Sequence, residues 1–481
     1  MISKNLEKNR EELKRIFKNS SDLIIYEFDT LCQKTAMVVY IEELIDRNGL
    51  YGSLIKPLIQ DLTSHYDILS TVPIAGAQEV YDIEKISHKI LDGNVALFVE
   101  DIEVGYLFEL GKWERRSVDE PHNERVIKGP REGFVEDINI NKSLIRRKIK
   151  NTHLIFEGYT LGVQTNTNIC LVYINSIVNP DILEELRRRI KNISLSSILD
   201  SGYIEHQIED SPKSIVSTVA YTERPDVVAA KILEGRIAII CDGSPIVLTV
   251  PRLFIESLQT PEDYYLKPQY AIYLRIIRLL ALFIAIILPG FVVALKSFHH
   301  EMIPTRLLMS IASGREGVPF TTLIEAILMI LFFELMKESS IRIPGNIGPA
   351  VTTISGLVLG QAAVQAGLVG PIMVITVAST GIAEFIFPDQ KEMIVLYRFI
   401  ILFLSGTLGL FGIVCGLAVM IVHLISLRSF GVPFMYPIAP YDKQGMKDFI
   451  IRTPLGEMNY RPRNIGNKNQ RKRNERNEKD E

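Results

Sequence analysis

The sequence predicts an α/β N-terminal soluble region of two related subdomains, followed by an α-helical transmembrane bundle. Three observations carry that expectation. β-branched runs alternate with helical, charge-rich stretches through residues 1–275. Two pairs of runs inside that region look alike. Nearly all the long apolar runs fall between 276 and 427.

The chain starts with MISKNLEKNREELKRIF, a charged amphipathic pattern that predicts a helix within 1–19. No apolar h-region of a signal peptide stands there, so the soluble region is expected on the cytoplasmic side. The first pair of similar runs is AMVVYIEELIDRNGL (36–50) and ICLVYINSIVNPDIL (169–183). Each reads as a buried strand, a loop and a helix. The second pair is KILDGNVALFVED (89–101) and KILEGRIAIICDG (231–243). Each reads as a helix end stopped by Gly93 or Gly235 and then a strand, because glycine enters the left-handed cap without a Cβ penalty. The repeat sets subdomain boundaries at 20–145, including a charged linker, and 146–255, with a connector at 256–275.

The linker RRSVDEPHNERVIKGPREGFVEDININ (115–141) is too charged for a core. It reads as a solvated linker, or as a subunit contact built on Glu120, Arg125, Arg131, Glu132 and Glu136. DGSP (242–245) is a turn signal and not a phosphate cradle.

A bilayer core needs about 20 apolar residues in a helix. Five segments approach this length: 276–298, 319–336, 347–367, 369–387 and 396–427. Pro289-Gly290 is expected to break or kink the first. Arg278 and Arg398 lie near segment ends, where long stems can reach headgroups. The basic tail within 428–481 is expected to be disordered and cytoplasmic. With both ends inside, the crossings must be even in number. A broken or re-entrant helix at AGLVGP (366–371) resolves the parity.

Segment three carries small residues at helical spacing: Gly356, Gly360, Ala363 and Gly367. That face suits close helix packing. Gln361 and Gln365 are four apart and share one face, with Thr353 near it. Polar residues in such a helix face either a packed interior or a water path. Thr353, Gln361 and Gln365 are therefore candidate pore residues, together with Glu325 and Glu334 from segment two.

Composition excludes several classes. The net charge of −3 averages unlike regions, and the basic tail reads as a lipid-side anchor, so no nucleic-acid partner is expected. The four cysteines are far apart and form no metal or disulfide pattern. His299, His300 and Glu301 are adjacent and point in different directions, so no metal site is expected. No nucleophile–base pair stands out, and neither an enzyme nor a cofactor is expected.

Several stretches closely resemble one family, the A subunits of bacterial spore germinant receptors (the GerA family). They are EPHNERVIKGPREGFVEDI (120–138), LPGFVVALKSFHHEMIPT (288–305), REGVPF (315–320), IRIPGNIGPAV (341–351), LVLGQAAVQAG (357–367), SFGVPFMYPIAPY (429–441) and RTPLGEMNYRPR (452–463). The resemblance covers nearly the whole chain. It departs from the family pattern at Ile330 and Gln365, where relatives often carry an acidic residue.

The resemblance implies a subunit in the spore inner membrane, assembled with a transporter-like B subunit and a lipoprotein C subunit. It also implies a homo-oligomer that transmits germinant binding into cation release. A secondary transporter and a non-conducting structural subunit are the alternative expectations.

Overall fold

The computed structural model describes residues 2–62, 68–74, 76–111, 120–121, 124, 126–343, 356, 358–454, 456, 461–462 and 464–466. Thr353, Arg125 and residues 467–481 of the basic tail lie outside the described residues.

The first subdomain is a sheet of β1 (Leu23–Asp29), β2 (Thr35–Ile41), β3 (Gln78–Val80), β4 (Asn94–Val99) and β5 (Gly105–Glu109). The second holds β6 (Leu154–Leu161), β7 (Thr167–Ile174), β8 (Ala220–Thr222), β9 (Ile237–Cys241) and β10 (Val247–Val250). The strand orders are β1-β2-β4-β5-β3 and β6-β7-β9-β10-β8, the same topology twice. The first pair of similar runs contains the equivalent strands β2 and β7, and the second contains β4 and β9. Both pairs are antiparallel in matching positions, with Val38 opposite Leu97 and Leu171 opposite Ile239.

Helices cover both faces of each sheet. That is why the central strands read as continuous apolar runs and not as alternating ones. In the first subdomain the helices include α1 (Leu6–Ile16) and α2 (Ile83–Leu91). In the second they are α3 (Ile138–Lys148), α4 (Pro180–Lys191), α5 (Ser201–Ile208) and α6 (Pro225–Leu233). Asn5, Asp82, Asp137 and Asn179 accept backbone N–H bonds at the starts of α1 to α4. Gly93 and Gly235 end α2 and α6 at φ +88° and +104°, the conformation for which the sequence required glycine.

One buried ion pair ties the subdomains together. Arg146 of α3 meets Asp22, just before β1, at 2.6 Å, with both side chains about 1% exposed. The remaining guanidinium donors reach the carbonyls of Asn151 and Leu154. The pair is therefore fully hydrogen-bonded, the condition under which a buried charge is tolerated.

Beyond the connector the chain is helical: α7 (Pro268–Phe298), α8 (Thr305–Ser313), α9 (Thr322–Arg342), α10 (358–365), α11 (Pro371–Glu384), α12 (Lys391–Leu408) and α13 (Leu410–Ser426). Several boundaries differ from expectation. Helix α7 starts at Pro268, which suits a first helical position, and continues through Pro289 without a break. The stretch expected as one long segment, 396–427, belongs to two helices separated by Gly409 at φ +64°. Helices α11 and α12 are bent by 107° at their junction.

Among the described residues, α7 alone is long and apolar enough to cross a membrane, or two crossings if the bent pair counts as one. Five segments approaching that length were expected, one of them not fully spanning, and the expected segment 347–367 lies largely outside the described residues. Helix α9 carries Glu325, Glu334, Lys337 and Glu338, and α13 has only 17 residues.

After α13 the chain returns to the second subdomain. Ser429 Oγ accepts from the Arg252 amide at 2.9 Å and donates to the Thr218 carbonyl at 2.6 Å. Gly466 forms a β-bridge with Val178, and Ile465 enters the subdomain core.

Candidate functional site

Pro289 has no N–H, so the carbonyl four residues earlier, on Ala285, loses its helical partner. Arg398 of α12 fills the vacancy: its Nε donates to that carbonyl at 2.8 Å. Arg398 is 1% exposed and also pairs with Glu384 at the end of α11. The sequence reading sent Arg398 toward headgroups. Its stem turns inward instead, because an orphan carbonyl and a buried carboxylate both need a donor there.

Glu384 is shared. Lys337 of α9 binds its other oxygen at 2.5 Å and Glu334 at 2.7 Å. Arg398 approaches Glu334 at 3.4 Å. Two acids and two bases from three helices, joined to a carbonyl of a fourth, make a neutral, closed network among apolar side chains. Such charges are expensive unless each is paired and hydrogen-bonded. Lys337 escaped the sequence reading. Its signal was a lysine three residues after Glu334 inside an otherwise apolar run.

A second link lies nearer the other end of α9. Glu325 is fully buried, accepts from the Gly370 amide at 2.6 Å, and faces Lys296 of α7 at 3.6 Å. Gly370 stands at the N-terminus of α11, so a carboxylate there also meets the positive end of the helix dipole.

The foot of α7 is held from the other side. Asp263 of the connector is fully buried and binds Arg275 at 3.0 Å and Arg278 at 2.8 Å. Arg275 also binds Asp448 of the C-terminal segment at 2.9 Å. The two guanidinium groups hold the Asp263 carboxyl below its usual range, against the opposing effect of burial. Arg278, like Arg398, is therefore committed to protein and not to headgroups. Arg452 donates to the carbonyls of Leu266 and Tyr264, so the C-terminal segment grips the connector twice.

The sequence-derived candidates separate into three groups. Gln361 and Gln365 are exposed on α10, while Gly360 of the same helix is buried. A Cβ on Gly360 would lie 3.4 Å from Val374, and one on Gly356 would lie 3.6 Å from Met336. Ala363 is half-buried. Gly367 serves a different end: at φ +66° it terminates the helix. Glu325 and Glu334 are paired within the chain, so the free negative charge expected of them at a pore wall is neutralised. In the linker, Glu120 meets Arg131 at 3.2 Å, and Glu132 meets Lys148 at 2.9 Å and Arg147 at 3.4 Å. The Glu136 carbonyl accepts from Gly243. These partners all belong to the same chain.

Comparison with known proteins gives a consistent picture. Residues 11–464 match the family described as Bacillus/Clostridium GerA spore germination protein. The chain is 43% identical to spore germination protein KA of Bacillus subtilis (strain 168), over 97% of this chain and 87% of that protein. It is 36% identical to the uncharacterized membrane protein YfkQ of the same organism, over 96% of this chain and 91% of that protein. It is also similar to the crystal structure of the N-terminal domain of the A subunit of the Bacillus megaterium spore germinant receptor GerK3. That match has 30% identity and a TM-score of 0.41, and covers 53% of this chain and 97% of that one.

Proposed function

The chain belongs to the Bacillus/Clostridium GerA spore germination protein family, and from that premise we propose that it is a non-enzymatic A-type subunit of a nutrient-germinant receptor in the spore inner membrane. It transmits germinant binding into ion release, as an oligomeric cation channel assembled with a transporter-like B subunit and a lipoprotein C subunit. The helical region forms the transmembrane bundle, with the α/β subdomains and the C-terminal segment on the cytoplasmic side.

The observation that supports this reading most is the network of Glu334, Lys337, Glu384 and Arg398. Charges buried among lipid-facing helices are costly, and they mark places where helices must hold a defined arrangement and be able to exchange it for another. The exposed face of α10 with Gln361 and Gln365, with Thr353 near it in sequence, lines the path at the oligomer axis. Glu325 and Glu334 bias cation passage when their internal pairs open. The linker residues Glu120, Arg125, Arg131, Glu132 and Glu136 exchange their pairs with a neighbouring subunit during assembly.

Purified receptor in potassium-loaded vesicles tests the reading. Gln361→Leu and Gln365→Leu are expected to change ion release by about tenfold or more. Unchanged release from both, in subunits that still assemble, would exclude the pore face.

The 107° bend between α11 and α12 favours a second reading, since transporters place such breaks at midplane sites. Saturable, coupled uptake would mark a transporter, whereas conductance that does not saturate would mark a channel.

A further inference from the structure

A cavity of about 470 Å³ opens between the far end of α7, helix α8 and the loop that follows it. Its volume falls in the range of small-ligand sites, about 300–1,000 Å³. Leu308 and Ile311 of α8 give it an apolar lining, and Lys296, His300, Arg315 and Glu316 a polar one.

The cations of this wall outnumber their partners. Lys296 is 6% exposed. Its ammonium stands 3.6 Å from Glu325 Oε2, too far for a hydrogen bond, and that oxygen is buried without a hydrogen-bond partner. Half-buried Arg315 donates to the Phe320 carbonyl at 3.1 Å, and no carboxylate lies within 4.0 Å of it among the described residues. Two cations thus face one buried carboxylate, an excess of one positive charge that a phosphodiester would neutralise. His300 adds a ring nitrogen that can donate to a phosphate oxygen. Glu316 is exposed, with no cation within 4.0 Å among the described residues, and is open to an ammonium group.

The cavity lies at headgroup depth. Arg278 is tied to Asp263 at the foot of α7, and the residues from Leu279 to Leu295 carry no charge. The rise from Arg278 to Lys296 is about 27 Å, close to the ~30 Å hydrocarbon core of a bilayer. Lys296 therefore meets the surface of the leaflet opposite the α/β region. Helix α8 suits the same plane: none of its residues is buried, and Leu307 and Met309 are 50% and 68% exposed.

We propose that this cavity holds the headgroup of a phosphatidylethanolamine lipid, its phosphate on Lys296 and Arg315 and its ammonium on Glu316, with an acyl chain along Leu308 and Ile311. Glu325, which Lys296 faces, also accepts the Gly370 amide at the start of α11. The bound phosphate therefore joins a chain of contacts that runs from the bilayer surface to the bent helix pair. The inference rests on the membrane placement proposed above and not on ion conduction.

Native mass spectrometry of the full-length protein, released from detergent micelles doped with one short-chain lipid at a time, tests this. Dihexanoyl phosphatidylethanolamine is the probe; the matching phosphatidylcholine, phosphatidylglycerol and inorganic phosphate are the controls. The ethanolamine lipid is expected to be retained about tenfold more than each control. Arg315→Gln is expected to weaken its retention about tenfold, and Glu316→Gln to remove the preference over phosphatidylcholine, which has no N–H to donate. Neither side chain is buried, so both variants keep the fold that Lys296→Met puts at risk. Equal retention of the ethanolamine and choline lipids by the parent chain, unchanged retention in Arg315→Gln, or inorganic phosphate held as well as the lipid would overturn the proposal. Alkaline extraction of membranes is run alongside. Release of the chain without detergent would overturn the membrane placement and the site with it, whereas a retained chain without headgroup preference overturns the site alone.

Discussion

Arg398 gives the Ala285 carbonyl the hydrogen bond that Pro289 withholds. A proline inside a helix normally marks a break, because it removes a donor and crowds the preceding turn. Here a side chain from another helix supplies the donor, and α7 runs on for nine residues beyond the proline. The same guanidinium neutralises Glu384. Helix continuity and charge pairing therefore depend on one residue.

That dependence can be measured. Arg398→Met leaves the Ala285 carbonyl without a donor and Glu334 and Glu384 sharing Lys337, and is expected to destabilise the detergent-solubilised chain by about 3–5 kcal/mol. Pro289→Ala restores the helical N–H. In the Arg398→Met background it should recover about 1 kcal/mol relative to its effect in the parent chain. Chemical unfolding of the four proteins gives the coupling. Strictly additive effects would mean that the carbonyl bond contributes nothing.

The balance of charge within the network makes a second prediction. Lys337→Met leaves Glu334 and Glu384 sharing Arg398, an excess negative charge. Adding Glu334→Gln removes that excess, so the double variant is expected to be more stable than Lys337→Met alone by about 1–3 kcal/mol. Melting temperatures in detergent rank them. A double variant less stable than the single one would count against the network acting as a unit.

Glu43 lies at the contact between the subdomains, 3.4 Å from Lys142. Burial, with the nearby charge of Asp22 added, pushes its carboxyl up to about 7, from an ordinary 4.5. The folded chain therefore retains a proton that the unfolded chain has released. Its contribution to stability is full below about 4.5 and is lost as pH rises to about 7, a change on the order of 3 kcal/mol. Glu43→Gln cannot titrate, so its stability should fall less across this window. Urea midpoints measured from acidic to neutral pH check this. An unchanged slope would remove Glu43 from the account.

Gly235 is required twice over. Its φ is +104°, and a Cβ there would lie 2.7 Å from the Gly466 Cα. Gly235→Ala is expected to cost about 1–3 kcal/mol and to loosen the C-terminal segment from the second subdomain. Limited proteolysis near residue 466 should then be faster than in the parent chain. Gly93→Ala, at the equivalent place in the first subdomain, should destabilise without changing that cleavage.

Much of the α/β architecture was legible, because local signals and tertiary demands agreed. The resemblance between AMVVYI and ICLVYI marks equivalent central strands, each buried on both faces. Gly93 and Gly235 mark their helix ends. The helical region was less legible because its decisive contacts are remote in sequence. Nothing local to Pro289 reveals Arg398, which lies 109 positions away. Arg278 and Arg398 carry the composition of interfacial anchors, but Asp263 and Glu384 take them inward. The split at Gly409 was hidden by apolar residues on both sides, where one glycine within a long run is a weak signal.

The C-terminal segment has a mechanical consequence. Asp448 grips the start of α7 and Arg452 the connector just before it, while Gly466 joins the second subdomain. The polypeptide thus enters and leaves its helices through one anchorage, as a loop of rope tied off at a single post. A tilt of the entering helix cannot be absorbed locally. It must either draw the exit with it or untie the knot at Asp448, so the described part of the C-terminal segment sets how far the first helix can swing.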